Sequence, residues 1–518
     1  MVLCTVGVAA FLAARLTAWP PHEDETLALF IGRRSLGDVL ATVQGERGGA
    51  PLHFMLAWAV REGGGGLAAL RLVSALFAVA SVPTVALLGA RLASRSVALA
   101  ATVLVSASWM LLFHGVYGRM YSLFLFLAAL SYLALLAAVD GGGARRWAVW
   151  GLAALATASA HPYGALSLAA QGAFVLVIRE RVREAMVAFG AVAVAGIPFW
   201  YTDVVLARRL EVGLGGGGER LDGPLDVLVY LGRTVGDFSA GWWPAIAGVA
   251  ALAVVGARSL RTTHATAAAA TALAVPAAAL LVGRAGSAAS PETRHLIFAL
   301  PLVALLVAAG IATAARRPGF AAAAVAALAA VELAWGYAKT PELYRGEASA
   351  RSAARAEASH WLARTARPDD VLFGYDPLFL GAWERDSGFP ATVVPRADAK
   401  LALAALEEAP RPLGRGVWVL DASDTANADT RLTIERRLPH PTAMFEARVF
   451  GPFLVVRTRG PSLTPVAYLA ATRSVMLTGR ELDIADAFVN LSTAERALER
   501  LDRSSRQAIR APRTARRG

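Results

Sequence analysis

The apolar residues of this chain fall in long blocks, not in alternation. Runs cover about 2–18, 67–90, 97–113, 120–138, 147–160, 163–178, 186–202, 241–257, 265–283, 295–315 and 320–338. Several reach the ~20 residues a helix needs to cross a ~30 Å hydrocarbon core. The pattern predicts an α-helical polytopic membrane protein with about eleven transmembrane helices.

Two polar stretches interrupt the series. The first, 19–66, opens on "PPHEDETLALFIGRR", where His22, Glu23, Asp24 and Glu25 follow one another directly; the second, 203–240, contains "GLGGGGER". Arg91 and Arg95, Arg145 and Arg146, the stretch "RERVRE", Arg258 and Arg261, and Arg316 and Arg317 each close a run. Basic residues flank membrane helices on the cytoplasmic side. With an odd number of spans, the N-terminus is expected inside and the region after the last span outside.

Past Trp335 the pattern changes. Residues 341–460 read as a small external α/β domain: a helix at 350–364, a strand "VLFGY" (371–375), a helix at 399–408, a strand "GVWVLD" (416–421), and a strand pair within "MFEARVFGPFLVVRT". Elements alternating at this spacing predict a partly parallel sheet. Residues 461–518 are basic and partly helical, with one helix expected at about 479–502 and a frayed end. The membrane domain accordingly covers 1–340, with 19–66 as its first external loop.

Composition sharpens this picture. The 518 residues are 56% hydrophobic and 17% charged, with mean hydropathy +0.49, against roughly 25% charge in an average soluble domain. Of the basic residues only Lys339 and Lys400 are lysine, a bias that points to a GC-rich coding sequence of actinobacterial type. Neither lysine follows a phosphate-loop glycine pattern, which argues against ATP-driven transport. The net charge of +12 is accounted for by arginines beside spans, so no nucleic-acid partner is expected. Cys4 is the single cysteine, which excludes an intrachain disulfide and a cysteine-based metal site. The first run has no basic n-region and no small-residue cleavage site, and reads as a retained helix.

Five polar stretches fall at the external ends of spans: the 22–25 cluster, the segment reaching His53, "FHGVYGRMY" (113–121), "HPYG" (161–164) and "SPETRHL" (290–296). Arg119 and Arg294 there run against the positive-inside trend. Each pairs with a carboxylate, binds an anion, or snorkels to lipid headgroups. His161, before Pro162, reads by itself as an ordinary helix-end histidine, and His22 as a loop residue. The acidic trio is either a solvated face or the start of an interfacial amphipathic helix with Leu27, Phe30 and Ile31 on one side. A carboxylate at the membrane surface beside external arginines suits chemistry on a lipid-anchored phosphate.

The stretches "DETLALFIGRRSLGDVL", "APLHFMLAW", "LRLVSALFAVASVPTVALLGARLA", "GRMYSLFLFLAALSYLAL" and "RHLIFALPLVALL", in that order over residues 1–340, resemble the bacterial GT-C membrane glycosyltransferases. These are the relatives of protein O-mannosyltransferases, aminoarabinose transferases and rhizobial lipopolysaccharide transferases. The resemblance implies transfer of a sugar from a polyprenyl-phosphate donor to a glycan, lipid or protein acceptor outside the cytoplasmic membrane. It places the family's catalytic Asp-Glu pair on Asp24 and Glu25. Where the family has a His-Pro-Pro-Leu-Tyr-like stretch, this chain has Gly49-Ala50-Pro51-Leu52-His53. A polyprenyl phosphate is a good leaving group, so the chemistry needs a base for the acceptor hydroxyl and cations for the departing phosphate. Asp24 fits the first role, Arg119 and Arg294 the second. Glu25 orients the loop or acceptor and Glu23 is read as solvated. His53, Tyr121, His161, Tyr163 and His295 are the expected substrate contacts. No Asp-x-Asp occurs in the chain, which favours a lipid-linked over a nucleotide-linked donor. No cofactor is expected, nor a divalent metal, although some GT-C enzymes use one.

Two other classes compete. A transporter or flippase of lipid-linked sugars would explain the spans, but calls for charges at mid-bilayer depth and paired broken helices, neither evident in the sequence. A structural partner in an envelope complex rests only on the C-terminal module.

Overall fold

The computed structural model describes the chain except residues 211–222, 262–263, 284–291, 342–343, 345–348, 375, 387, 391, 397, 423–443, 483 and 511–518. The "GLGGGGER" stretch and the expected strand's Tyr375 therefore lie outside the described residues. The chain forms two compact units. Met1–Trp19 and Ile31–Gly346 make the first; Pro20–Phe30 and Glu347–Gly518 make the second.

The first unit is helical. Among the described residues five helices are long and apolar enough to cross a membrane: Leu67–Leu92, Tyr121–Gly141, His264–Val282, Thr293–Ala315 and Pro318–Lys339. Three bent pairs bring the total to as many as eight: Arg95–Ala107 with Trp109–Val116, Val182–Ala195 with Ile197–Ala207, and Pro224–Phe238 with Trp243–Ser259. The protein is a multi-pass membrane protein. The runs expected at 2–18, 147–160 and 163–178 form the shorter helices Val2–Ala13, Ala144–Ala160 and Gly164–Ile178.

The bends have local causes. Ser108 is extended (φ −62°, ψ 131°) and its hydroxyl accepts from Met110 N–H at 3.3 Å, ending one helix and capping the next. Part of the polar stretch 203–240 is not a loop, as expected, but the helix Pro224–Phe238. Val227, Tyr230, Thr234 and Phe238 are buried along one stripe, the 3–4 spacing of an amphipathic helix. Asp226 and Arg233 lie off that stripe, lower the average hydropathy and so mask it.

Tyr121–Gly141 has 21 residues, about 30 Å at 1.5 Å per residue, so its ends mark the two ends of the unit. One end collects arginines. Arg91 pairs with Asp140 (2.5 Å), and Arg181 donates to the Val139 carbonyl (2.7 Å) and to Glu184 (2.9 Å). The other end begins at Tyr121.

Helices Trp243–Ser259 and Leu300–Ala315 touch backbone to backbone. A Cβ on Gly256 would meet the Leu306 carbonyl oxygen at 1.8 Å, and one on Gly310 the Leu252 oxygen at 2.0 Å. Small residues permit such approach between membrane helices. Gly310→Ala is expected to destabilise by about 1–3 kcal/mol through overpacking, visible as a lower Tm in detergent. Gly248→Ala, on the same helix pair but facing open space, serves as control and should not lower it.

The second unit is an α/β sheet of five strands: β1 (Val371–Phe373), β2 (Val393–Val394), β3 (Gly416–Asp421), β4 (Phe445–Phe450) and β5 (Phe453–Thr458). Their order is β2-β1-β3-β5-β4. β1 runs parallel to β2 and β3, with Phe373 beside Val394 and Trp418, while β5 is antiparallel to β3 and β4. The expected partly parallel sheet is present; the two-residue β2 and the helix Pro377–Arg385 were not foreseen. Residues 461–510 form two helices, Pro465–Glu481 and Ala485–Arg510, where one frayed helix was expected. Tyr468, Leu469, Met476, Leu491 and Ala497 bury one apolar face into the core with Trp418, Leu420 and Leu454. Trp418 donates to Thr472 (3.1 Å) and stacks on Tyr468 (5.6 Å). Arginines on the opposite faces made this stretch read as a tail.

Candidate active site

The acidic stretch forms the helix Glu23–Ile31, of which residues 23–30 belong to the second unit. Each of its three acids has a different environment. Glu25 is fully buried, and its Oε2 accepts from His22 N–H at 2.9 Å, closing the first turn as a capping-box glutamate does. His22 Nδ1 accepts from Asp24 N–H at 3.2 Å. Asp24 Oδ2 stands 3.7 Å from the same nitrogen, too far for a hydrogen bond. His22 thus caps the helix start through Nδ1. Glu23 is not solvated, contrary to expectation: Arg396 grips it through Nε on Oε1 (2.9 Å) and Nη2 on Oε2. The Asp24 side chain is 37% exposed. The expected interfacial amphipathic helix is also corrected, because Glu25 through Ile31 are all buried.

The first unit holds the other candidates. Tyr121, at the start of its helix, packs with two guanidiniums, Arg119 at 5.0 Å and Arg294 at 5.2 Å from the ring centroid. His161 stacks on Phe124 (4.6 Å, 10° between planes) and lies 5.5 Å from Tyr121 and 5.4 Å from His295. Tyr163 faces His295 at 4.9 Å. Arg119, Tyr121, His161, Tyr163, Arg294 and His295 are thus one cluster, at the end of the unit opposite the arginine-rich end. His53 is buried on helix Pro51–Glu62, edge-on to Phe54 at 5.5 Å. Gly48 and Gly49, with φ of 72° and 68°, lead into that helix. A Cβ on Gly49 would stand 3.0 Å from Pro162, so this turn packs against the "HPYG" connection.

His161 is 1% exposed. Burial, with Arg119 and Arg294 nearby, lowers its pKa from 6.5 to about 3, so the ring is neutral near pH 7. Its Nδ1 accepts from Tyr163 N–H at 3.0 Å, which assigns the proton to Nε2. That Nε2–H, like Arg294 Nε–H, is buried with no acceptor among the described residues. Buried donors without partners are costly, and the His161 Nε2–H together with the Arg119 and Arg294 guanidiniums makes a donor set suited to an anion. A pH dependence follows. Between about pH 6.5 and 3 the unfolded imidazole takes a proton that the folded one refuses, so stability falls as pH falls across that window. Thermal melts of His161→Phe should fall less steeply over that range than those of the wild type.

Residues outside the expected set hold the cluster. Glu292 pairs with Arg294. Thr293 Oγ1 donates to Asp237 Oδ2 at 2.5 Å, and Lys339 pairs with the other oxygen of Asp237, anchoring the turn Thr293–Ala299 that carries Arg294 and His295. Glu292 stood in the quoted "SPETRHL"; Phe124, Asp237 and Arg396 gave no sequence signal. Among the described residues no three His, Cys, Asp or Glu side chains gather as a metal set.

No protein-family profile matches the chain, and no curated protein matches it by sequence. Solved structures do match. ArnT from Cupriavidus metallidurans in the apo state superposes with TM-score 0.57 at 16% identity, over 88% of this chain and 97% of that one. The same protein bound to undecaprenyl phosphate gives 0.56 at 15%, with the same coverage. Archaeal oligosaccharyltransferase AglB from Archaeoglobus fulgidus gives 0.46 at 10%, over 81% of this chain and 69% of that one. At these identities the likeness is one of fold, and the chain has the fold of the GT-C glycosyltransferases.

Proposed function

We propose that the chain is a membrane glycosyltransferase. It moves a sugar from a polyprenyl-phosphate donor to an acceptor hydroxyl on a glycan, lipid or protein at the external face of the cytoplasmic membrane. Asp24 takes the acceptor's proton as its oxygen attacks the anomeric carbon. The bond from that carbon to the phosphate oxygen breaks, and polyprenyl phosphate departs with the electron pair. Arg119 and Arg294 meet the negative charge on the leaving phosphate, while the His161 Nε2–H offers it a neutral hydrogen bond. Tyr121, Tyr163, His295 and His53 shape the donor and sugar pocket, and Glu25 holds the helix start. The steps use side chains of the chain itself and no metal.

The observation that carries this reading is the half-buried cluster around Tyr121: the guanidiniums of Arg119 and Arg294, with the buried Arg294 Nε–H and His161 Nε2–H lacking acceptors among the described residues, at the end of the helical unit opposite Arg91 and Arg181. A lipid-linked phosphate supplies the missing acceptors at headgroup depth. The test is a transfer assay in membranes with radiolabelled polyprenyl-phosphate sugars. Transfer is expected with the wild type and absent from membranes lacking the chain; no transfer from any such donor would sink the reading.

The same reading has about eleven spans, the N-terminus inside, residues 341–518 outside, and a membrane catalytic domain over 1–340. Ser474, exposed on helix Pro465–Glu481, tests it. Ser474→Cys in a Cys4→Ser background should react with an impermeant thiol reagent on intact cells, and a requirement for permeabilised cells would reverse the orientation.

A transporter of lipid-linked sugars is the second reading, favoured by the three bent pairs and by Glu332, buried within the span Pro318–Lys339. Glu332 Oε1, however, accepts from Ser239 at 2.7 Å, at the break between Pro224–Phe238 and Trp243–Ser259. That bond ties the bend between the two helices. Translocation of a fluorescent polyprenyl-phosphate sugar without sugar transfer would favour the transporter.

A further inference from the structure

In an open sheet with parallel strands, ligands bind outside the carboxyl ends where the strand order reverses. The second unit has such a point. The chain leaves β1, crosses to β2 on one side, and returns to β3 on the other. Gly374 and Asp376 follow β1, Arg396 follows β2, and Asp421 closes β3, so all four lie at one crevice. Asp376 is buried, its Oδ1 capping helix Pro377–Arg385 by accepting from Leu378 N–H at 2.7 Å. Burial raises its pKa to about 7 against the pull of Arg396. Asp421 is held by both ends of the Arg351 guanidinium (2.8 and 3.2 Å). Gly374, at φ +92°, lets Arg396 cross over it, since a Cβ there would stand 2.9 Å from Arg396 Cδ.

What fills the crevice is a piece of this chain. Arg396, its side chain 14% exposed, takes the Glu23 carboxylate at both oxygens. Two turns further along the helix, Phe30 stacks on Trp383 at 5.2 Å with 23° between planes. Positions 23 and 30 fall on one helical face. The helix that carries Asp24 is therefore fixed at its first residue by an ion pair and near its last by a ring.

We propose that the switch-point crevice of the second unit is a docking site for the helix Glu23–Ile31, and that Arg396 is the positioning residue for Asp24. The proposal rests on Asp24 being the base. Arg396 touches no substrate in this account; it acts through Glu23, one residue before the reacting carboxylate. A misplacement of about 1 Å at a reacting group costs about 10²-fold in rate, so a bidentate grip one residue away has direct leverage on turnover.

The test uses the full chain in nanodiscs, with Arg396→Gln, Glu23→Gln and the exchanged pair Glu23→Arg with Arg396→Glu. Three quantities are read: hydrogen exchange of amides 23–31, turnover with a radiolabelled polyprenyl-phosphate sugar, and affinity for polyprenyl phosphate alone. Each single variant is expected to raise exchange about tenfold or more, lower kcat by about 10²-fold, and leave polyprenyl-phosphate affinity within about twofold. The exchanged pair should recover most of the loss in kcat. Unchanged exchange in both single variants overturns the docking. Raised exchange with unchanged kcat overturns the positioning role. If Arg396→Gln fails to fold, Glu23→Gln carries the same test. Full turnover in Asp24→Asn would overturn the base assignment alone, because the exchange result does not depend on it.

Discussion

Asp24→Asn is expected to lower turnover by about 10²–10⁴-fold, the usual worth of a positioned general base, with polyprenyl-phosphate affinity and Tm almost unchanged. Asparagine keeps the shape and the backbone N–H that His22 Nδ1 accepts at 3.2 Å, so the helix start survives while the basicity is lost. The neighbouring acids should behave differently, for reasons visible in their partners. Glu25→Ala removes the acceptor of the His22 N–H and should cost stability by about 0.5–2 kcal/mol, the range of a lost cap, more than chemistry. A local amide dipole cannot replace a proton acceptor, so wild-type turnover in Asp24→Asn, alongside loss in Glu25→Gln, would move the base to Glu25. Wild-type turnover in both, and in Glu23→Gln, would remove the enzyme reading altogether.

The sequence carried the spans with strict hydropathy and the outline of the sheet, because burial in lipid and strand periodicity are both local signals. Tyr121–Gly141 and Thr293–Ala315 appear where the runs predict them, and β1, β3, β4 and β5 where the alternation does. What it lacked were pairings set by the fold. Glu23 looked solvated because its partner lies 373 residues away. The amphipathic helix at 224–238 and the two helices at 465–510 hid behind charges on their outer faces. At the candidate site, Arg119, Tyr121, His161, Tyr163, Arg294 and His295 were each singled out as polar residues at external span ends, and the structure gathers them. Phe124, which stacks on His161, and Asp237, which anchors the turn before Arg294, are ordinary core and helix residues by sequence. Only packing gives them a place.

Removing either flanking guanidinium should weaken both ground-state binding and catalysis. Arg294→Ala and Arg119→Ala are each expected to raise the donor KM and lower kcat together, with kcat/KM falling by about 10–100-fold for each, since a hydrogen bond to a charged group contributes about 1.5–3 kcal/mol and about 1.4 kcal/mol is tenfold. The two should not add, because both guanidiniums pack on the same Tyr121 ring and neighbouring sites couple. Lysine is a poor substitute at a site built for a planar fork, so Arg294→Lys should recover only part of the loss. Leaving-group charge gives a sharper check. Phosphate developing negative charge is what the arginines meet, so their removal should slow a phosphate-linked donor while leaving the acceptor's KM unchanged. The bland account, in which the two residues merely reach for lipid headgroups, predicts unchanged donor KM and kcat in both variants. The buried Nε of Arg294, without an acceptor among the described residues, argues against it, since a side chain reaching for headgroups would turn its donors to solvent.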